Sequence, residues 1–259
     1  MAKVTIEKRS PLKDKPLRQA GQSTQEKLNE LFDEFGSHLL LMGITGTMFL
    51  TSLLAFIFPV TKGMMLGITG FYFVAACFYT VPNTVKLVRK AKSYKLGRDG
   101  ERIVSENLEP LHKEGAYVLH DLVGGNFNLD HVVISERGVF VIETKTRSKR
   151  NGNPKVTFDG EKVLIDGMKP IDDPLAQARA NATWLKNLLK ESTGKSYPVK
   201  PVVAFPGWWV ELRANPKKSD VWVLEPKAIP KFISYEPVKL PDDDVNLANF
   251  HLRRFIRSS

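Results

Sequence analysis

The sequence predicts a mixed α/β protein: a hairpin of two membrane helices, then a domain whose elements run α, three antiparallel β, α, β. Three observations predict it. Leu39 to Val60 and Met64 to Val81 carry no formal charge, with Lys62 alone between them, and each run is close to the ~20 residues that carry a helix across a hydrocarbon core. Beyond residue 98, short runs rich in Val, Ile and Phe alternate with runs whose apolar residues recur every three or four positions. One such short run, GVFVIETKT from Gly138 to Thr146, reads as a strand buried on both faces, yet it ends on Glu143 and Lys145. Buried charges are costly unless they are paired or hold an ion.

A chain of 259 residues with 42% hydrophobic content can bury a core of ordinary size and is not a disordered sequence. Its net charge of +10 is unevenly spread. Residues 1–37 carry seven basic and six acidic groups, residues 82–98 six basic and no acidic ones, and residues 99–259 carry 24 basic against 22 acidic. The excess therefore sits beside the second apolar run, which places both flanks in the cytoplasm and the Pro59–Gly63 connector outside. The expected protein is an integral membrane protein of two spans with N- and C-termini cytoplasmic. The basic stretch also suits anionic lipid, at ~1 kcal/mol per cation. The first apolar run follows a long polar segment containing Pro11 and Pro16, which excludes a cleaved signal peptide. The single cysteine, Cys77, can make no intrachain disulfide.

In chain order, residues 1–37 form a Lys- and Pro-rich tail ending in a short amphipathic helix. In STQEKLNELFDEF (Ser23–Phe35), Leu28, Leu31, Phe32 and Phe35 fall on one face behind a Ser-Thr start with Glu26 three residues on. That helix either lies on the membrane surface or packs on the soluble domain. Residues 38–81 are the membrane hairpin. GITG recurs at Gly43–Gly46 and Gly67–Gly70, and Gly63 and Gly67 have a spacing that lets helices approach closely, either between the two spans or in a homo-oligomer formed through the hairpin. Residues 82–96 read as a basic linker.

The domain of residues 97–259 opens with a helix from Gly97, with Ile103, Val104, Leu108 and Leu111 on one face, closed by Gly115. Ala116–Leu122 and Asn128–Ser135 read as strands, and a tight turn at Glu136-Arg137-Gly138 leads into Gly138–Thr146. Val156–Ile165 is a hairpin around Asp159-Gly160. Pro174–Glu191 is a helix with Leu175, Ala178, Ala182, Leu185 and Leu189 inward. Lys200–Phe205 and Val221–Pro226 are strands, and Val245–Arg257 is a closing helix.

Side chains alternate along a strand, so Glu143 and Lys145 share a face about 7 Å apart. In the adjoining antiparallel strand Asp130 interrupts an apolar run in the same way, level with them. Two neighbouring buried carboxylates repel unless a cation lies between them. A divalent ion such as Mg²⁺ suits them, because it takes oxygen ligands, few protein carboxylates and substrate phosphate. Lys145 could then orient the attacking water and stabilise charge growing on the phosphate.

Gly100-Glu101, LDHVV at Leu129–Val133, GVFVIETK at Gly138–Lys145, and Asp173-Pro174 with Gln177 together resemble the nuclease-related domain (NERD), a branch of the PD-(D/E)XK nuclease superfamily. The resemblance covers roughly Gly97 to Phe205. It implies a restriction-endonuclease-like αβββαβ core in which Asp130 and Glu143, helped by the backbone carbonyl of Thr144, bind Mg²⁺ or Mn²⁺. It also implies that Lys145 is the catalytic lysine, that Glu101 supports the metal site or its water, and that Gln177 is the polar residue aimed at the site by the second helix. The family usually has Asn-Pro where this chain has Asp173-Pro174.

Other residues keep two readings. Arg147, Lys149 and Arg150 could hold a nucleic-acid backbone, DNA first, or form a solvated loop. Trp208 and Trp209 could stack on a base or pack over a sheet edge. His131 points to the face opposite Asp130, as a core or supporting histidine, and His112 and His120 are lone residues without metal spacing. The sequence thus predicts a membrane-anchored, Mg²⁺-dependent nuclease. Two alternatives are a membrane scaffold that uses the fold for interaction only, and a membrane-perturbing effector with a sensor domain. The near-neutral charge of residues 99–259 speaks against tight binding of long duplex DNA.

Overall fold

Alternating small and apolar residues on one helical face give the first two elements their pairing. A computed structural model of the chain describes residues 17–57, 63–125, 127–149, 155–168, 173–213 and 219–258. It divides into two compact units, residues 22–99 and residues 1–21 with 100–259.

In the first unit, α1 (Gln22–Ile57) pairs antiparallel with the part of α2 (Gly63–Leu108) that precedes Gly100. The less exposed positions of α1 are Leu28, Leu31, Phe35, His38, Met42, Thr45, Phe49 and Ser52, spaced alternately by three and four. That is the seam of a coiled coil. Phe49 stacks on Phe73 at 5.5 Å, His38 meets the edge of Tyr79 at 5.9 Å, and Arg98 Nη1 donates to Gln25 Oε1 at 2.6 Å. The second glycine of each GITG repeat serves this pairing: a Cβ at Gly46 would stand 3.5 Å from Phe73, and one at Gly70 3.3 Å from Phe49, whereas one at Gly43 or Gly67 would meet nothing within 4 Å. Both helices are long and apolar enough to cross a bilayer. Their outer faces between Leu39 and Val81 are apolar and exposed, Phe71 to 71% and Phe78 to 80%.

Two expectations are corrected here. The Ser23–Phe35 helix is not separate but the first turns of α1, and residues 82–96 are not a linker but a continuous stretch of α2. At 36 residues α1 is about 54 Å long, well beyond the ~30 Å of a hydrocarbon core. The run of cations at 86–95 hid a helical seam of Leu87, Ala91 and Tyr94 that is covered only because α1 lies against it. Residues 59–62 of the predicted connector, and the tail before Leu17, lie outside the described residues.

The second unit follows the predicted order. The last turns of α2 are succeeded by a 3₁₀ segment (Glu109–Glu114) closed by Gly115 at φ 79°, and then by β1 (Tyr117–Val123), β2 (Asn128–Ser135) and β3 (Gly138–Thr144). A second small sheet starts with β4 (Lys155–Phe158) and β5 (Val163–Ile165), joined through an Asp159 side chain that accepts from the Glu161 and Lys162 amides. After α3 (Pro174–Thr193) come β6 (Val199–Ala204), β7 (Trp209–Leu212), β8 (Trp222–Leu224), α4 (Ile229–Ser234) and α5 (Asp242–Ser258). The main sheet runs β1-β2-β3-β6-β8, antiparallel through β3 and parallel thereafter. β7 was not foreseen: it pairs in parallel with β4, completing the sheet β5-β4-β7.

The main sheet is covered on both faces. On one, Leu185 and Leu189 of α3 and Val245, Leu252 and Ile256 of α5 pack on Val139 and Val141. On the other, Val104 and Leu108 of α2 and Ile229 and Ile233 of α4 pack on Phe140 and Ile142. Ile103 was expected in this core but is 43% exposed. Arg18, from the segment before α1, makes an ion pair at 2.7 Å with the buried Asp121, which sits at φ 53° in β1 and also accepts from Asn128.

His120 and His131 are cross-strand partners with Nδ1 atoms 2.9 Å apart, and His120 Nε2 lies 3.3 Å from Ser105 Oγ. His131 occupies the face opposite Asp130, as read from the sequence, whereas His120 is not lone. Burial pushes the pKa of both rings down. The folded protein therefore resists protonation where the unfolded chain accepts it, so this stability is present above ~6.5 and lost as pH falls below that value. Denaturation midpoints measured in an Asp130→Asn background, where the nearby carboxyl cannot titrate, are expected to drop between pH 7.5 and pH 5.5. The limiting slope is ~1.4 kcal/mol per pH unit for each proton taken up. A flat profile would show that the pair tolerates charge.

Candidate active site

The site is built where β2 begins, β3 ends and α3 begins. Asp173 caps α3, its Oδ1 accepting from the Leu175 and Ala176 amides at 3.0 and 3.1 Å, with Pro174 in the first turn. This cap fixes the first turn of α3, and Gln177 and Asn181, four residues apart, share the helix face turned toward β3.

Glu143 is buried at the end of β3 and accepts from three donors. Gln177 Nε2 reaches its Oε1 at 2.8 Å, Asn181 Nδ2 its Oε2 at 2.9 Å, and Lys145 Nζ its Oε1 at 3.1 Å. Lys145 Nζ also donates to Gln177 Oε1 at 2.6 Å, which closes a ring of three side chains. Asp130 enters through the backbone: its Oδ2 accepts from the Thr144 amide at 2.7 Å. Thr144 was expected to contribute its carbonyl, and here its N–H makes the contact with Asp130. Burial pushes the Asp130 carboxyl well above the usual carboxylate range, and the negative charges of Glu143 and Glu101 add to the shift. Glu101 is therefore close enough to bear on Asp130 electrostatically.

Glu101 is brought there by its neighbour. A Cβ on Gly100 would lie 2.0 Å from Thr146 Cγ2 and 3.5 Å from Pro206, so α2 meets the ends of β3 and β6 at a distance only glycine allows. Gly100→Ala is expected to cost about 1–3 kcal/mol of stability and to move Glu101 away from Asp130. Adding Thr146→Ser, which removes the clashing methyl, should recover most of the loss. Thermal unfolding of the single and double variants checks this, and a fully tolerated Gly100→Ala would refute the close approach.

Among the described residues no group of three or more His, Cys, Asp or Glu side chains is gathered as a ready metal cage. The donor set still suits a hard cation. Asp130 and Glu143 are neighbouring carboxyl groups, one half-buried and one buried, and Mg²⁺ characteristically takes only one or two protein carboxylates, with water and phosphate completing its shell. Arg147 and Lys149 leave β3 toward Trp208, whose Nε1 donates to the Arg147 carbonyl at 3.3 Å while Lys149 Nζ stands 5.8 Å from its ring centroid. Arg150 lies outside the described residues. Trp208 is buried and Trp209 exposed, so the pair divides between the two readings. Sequence reasoning missed Asn181, and it named Gly100 beside Glu101 without giving it a role. The signal for Asn181 was its place one turn beyond Gln177.

Residues 96–206 match the Nuclease-related domain (NERD) family, a span that takes in Glu101, Asp130, Glu143, Lys145 and Gln177. An uncharacterised protein of Bacillus anthracis is 43% identical over 54 residues, 19% of this chain and 26% of that protein, so the chain spans about a quarter of that relative. Among solved structures, that of Pyrococcus furiosus SfsA in complex with Ca²⁺ is similar over 51% of this chain and 55% of that one, at 17% identity and a TM-score of 0.26.

Proposed function

We propose that the chain is a membrane-anchored, metal-dependent nuclease that hydrolyses phosphodiester bonds of nucleic acid, DNA first, on the cytoplasmic side of a bilayer. One observation carries the reading: Glu143, Gln177 and Lys145 form a closed hydrogen-bonded ring beside Asp130 at one end of the sheet, within the span matching a nuclease-related domain.

Asp130, Glu143 and the Thr144 carbonyl would hold Mg²⁺ or Mn²⁺, which when bound supplies Lewis-acid activation of water and phosphate. Lys145, kept from swinging away by Glu143 and Gln177, presents an ammonium to the phosphate oxygens as negative charge grows there. Gln177 and Asn181 orient Glu143, and Glu101 adds negative charge beside Asp130 that strengthens the attraction for a cation. The apolar, exposed belt of α1 and α2 serves as the anchor, and Arg147 and Lys149 lie along the exit from the site, with Arg150 next in the sequence.

The full-length protein in detergent micelles, given labelled DNA and RNA with Mg²⁺ or Mn²⁺, is expected to cut one of them, and Lys145→Met is expected to abolish cutting. Equal cutting by the variant would assign the activity to a contaminant. A second reading, an interaction module without chemistry, is favoured by the saturation of both Glu143 oxygens by protein donors. It predicts no cutting with any divalent ion and an unchanged cellular phenotype for Lys145→Met.

A further inference from the structure

A groove of about 250 Å³ opens beside the proposed site, lined by Ile103 and Asn107 of α2, Trp208 and Trp209, and Glu225 and Lys227. Two contacts link it to that site. Gly100, one turn before Ile103, packs against Thr146 and Pro206, and Trp208, at the groove's base, is hydrogen-bonded to Arg147 two residues beyond Lys145. Trp209 stands 66% exposed on edge strand β7. An exposed indole offers a flat apolar face that binds any π-system. Glu225 and Lys227 bring one charge of each sign, a poor match for an acidic peptide or an anionic headgroup. Their mixture suits a nucleotide, whose base amines meet a carboxylate while its phosphate meets an ammonium.

The geometry points to this groove as a subsite for an unstacked nucleobase, with Trp209 as the stacking platform, on a single strand that runs from Lys145 past Arg147 and Lys149. The inference rests on the nuclease reading for its substrate class and narrows it to single-stranded or locally opened nucleic acid. Residues 99–259 carry only two more basic than acidic groups, 24 against 22, so phosphate contacts alone supply little affinity. Stacking supplies it without charge.

The test uses the full-length chain in detergent micelles in a Lys145→Met background with Mg²⁺, so that binding is read without cutting. A labelled oligodeoxythymidylate is expected to bind more tightly than a hairpin duplex of equal length. Trp209→Ala is expected to weaken single-strand binding about 5- to 150-fold with an unchanged salt slope, and Trp209→Phe to retain most of it. Lys227→Ala should lower the salt slope by about one. Equal binding by Trp209→Ala and its parent, or a preference for duplex, overturns the subsite. Cleavage by the protein with Lys145 intact separates the two ideas. If the nuclease reading fails, Trp209-dependent binding persists without cutting. If the subsite fails, cutting persists with the same KM in Trp209→Ala.

Discussion

Asp130→Asn is expected to lower cleavage by about 10²–10³-fold, the several kcal/mol that a metal ligand supplies, while making the metal-free protein more stable. Desolvation of the half-buried carboxyl and the charges of Glu143 and Glu101 push it toward its protonated form, so ionising it at neutral pH works against folding. An asparagine keeps an acceptor for the Thr144 amide, which now bonds Asp130 Oδ2 at 2.7 Å, and turns an amide donor toward the neighbouring acids. The expected gain is roughly 1–2 kcal/mol, or about 2–8 °C in Tm. The sign with pH follows. A carboxyl raised in the folded state contributes stability below ~3.9 that is lost as pH rises through its folded pKa, so the advantage of the variant should be greater at pH 7.5 than at pH 5. Saturating Mg²⁺ should shrink it by stabilising the wild type alone. Thermal unfolding with and without metal, beside a cleavage assay, checks both halves. A variant that loses activity and stability together would mean that Asp130 is structural.

Arg18→Ala is expected to destabilise the α/β unit by about 3 kcal/mol. Its partner Asp121 is buried, with a side chain only 3% exposed, and breaking one side of a buried pair leaves a charge in a poor solvent. Asp121 also holds φ 53°, a conformation that costs a non-glycine residue and persists only where its surroundings enforce it. Asp121→Asn should cost less, and the double variant less than the sum of the two, because the stranded charge is gone. A fragment starting at Gly97 removes the arginine altogether and should show the same loss. Unfolding midpoints of the three variants in micelles test this, and additive effects would mean that the two side chains do not depend on each other.

These results bear on how much of the protein its sequence announced. The two long apolar helices, the three antiparallel strands and the helix beginning at Pro174 were legible, because each is written in a local period or a cap: near-absence of charge over some twenty residues, alternation around Glu136-Arg137, and Asp173 ahead of a helical stripe. Alternation along β3 also puts Glu143 and Lys145 on one face. The helical identity of residues 82–96 was not legible. Leu87, Ala91 and Tyr94 are a seam only in the presence of α1, and from the sequence the cations dominate that stretch.

What the chain determined by itself was therefore its pair of long apolar helices, its order of elements and the acidic and basic residues at the start of the second strand and the end of the third. What only tertiary structure decided was who meets whom across long separations: Arg18 with Asp121, β4 with β7, His120 with His131, Asn181 with Glu143, and Gly100 with Thr146. The division has one physical reason. Periodicity and capping act within a turn or two of backbone, whereas a buried charge, an orphan ring nitrogen or a missing Cβ is satisfied by whatever the closed fold brings alongside it, and no local pattern encodes that neighbour.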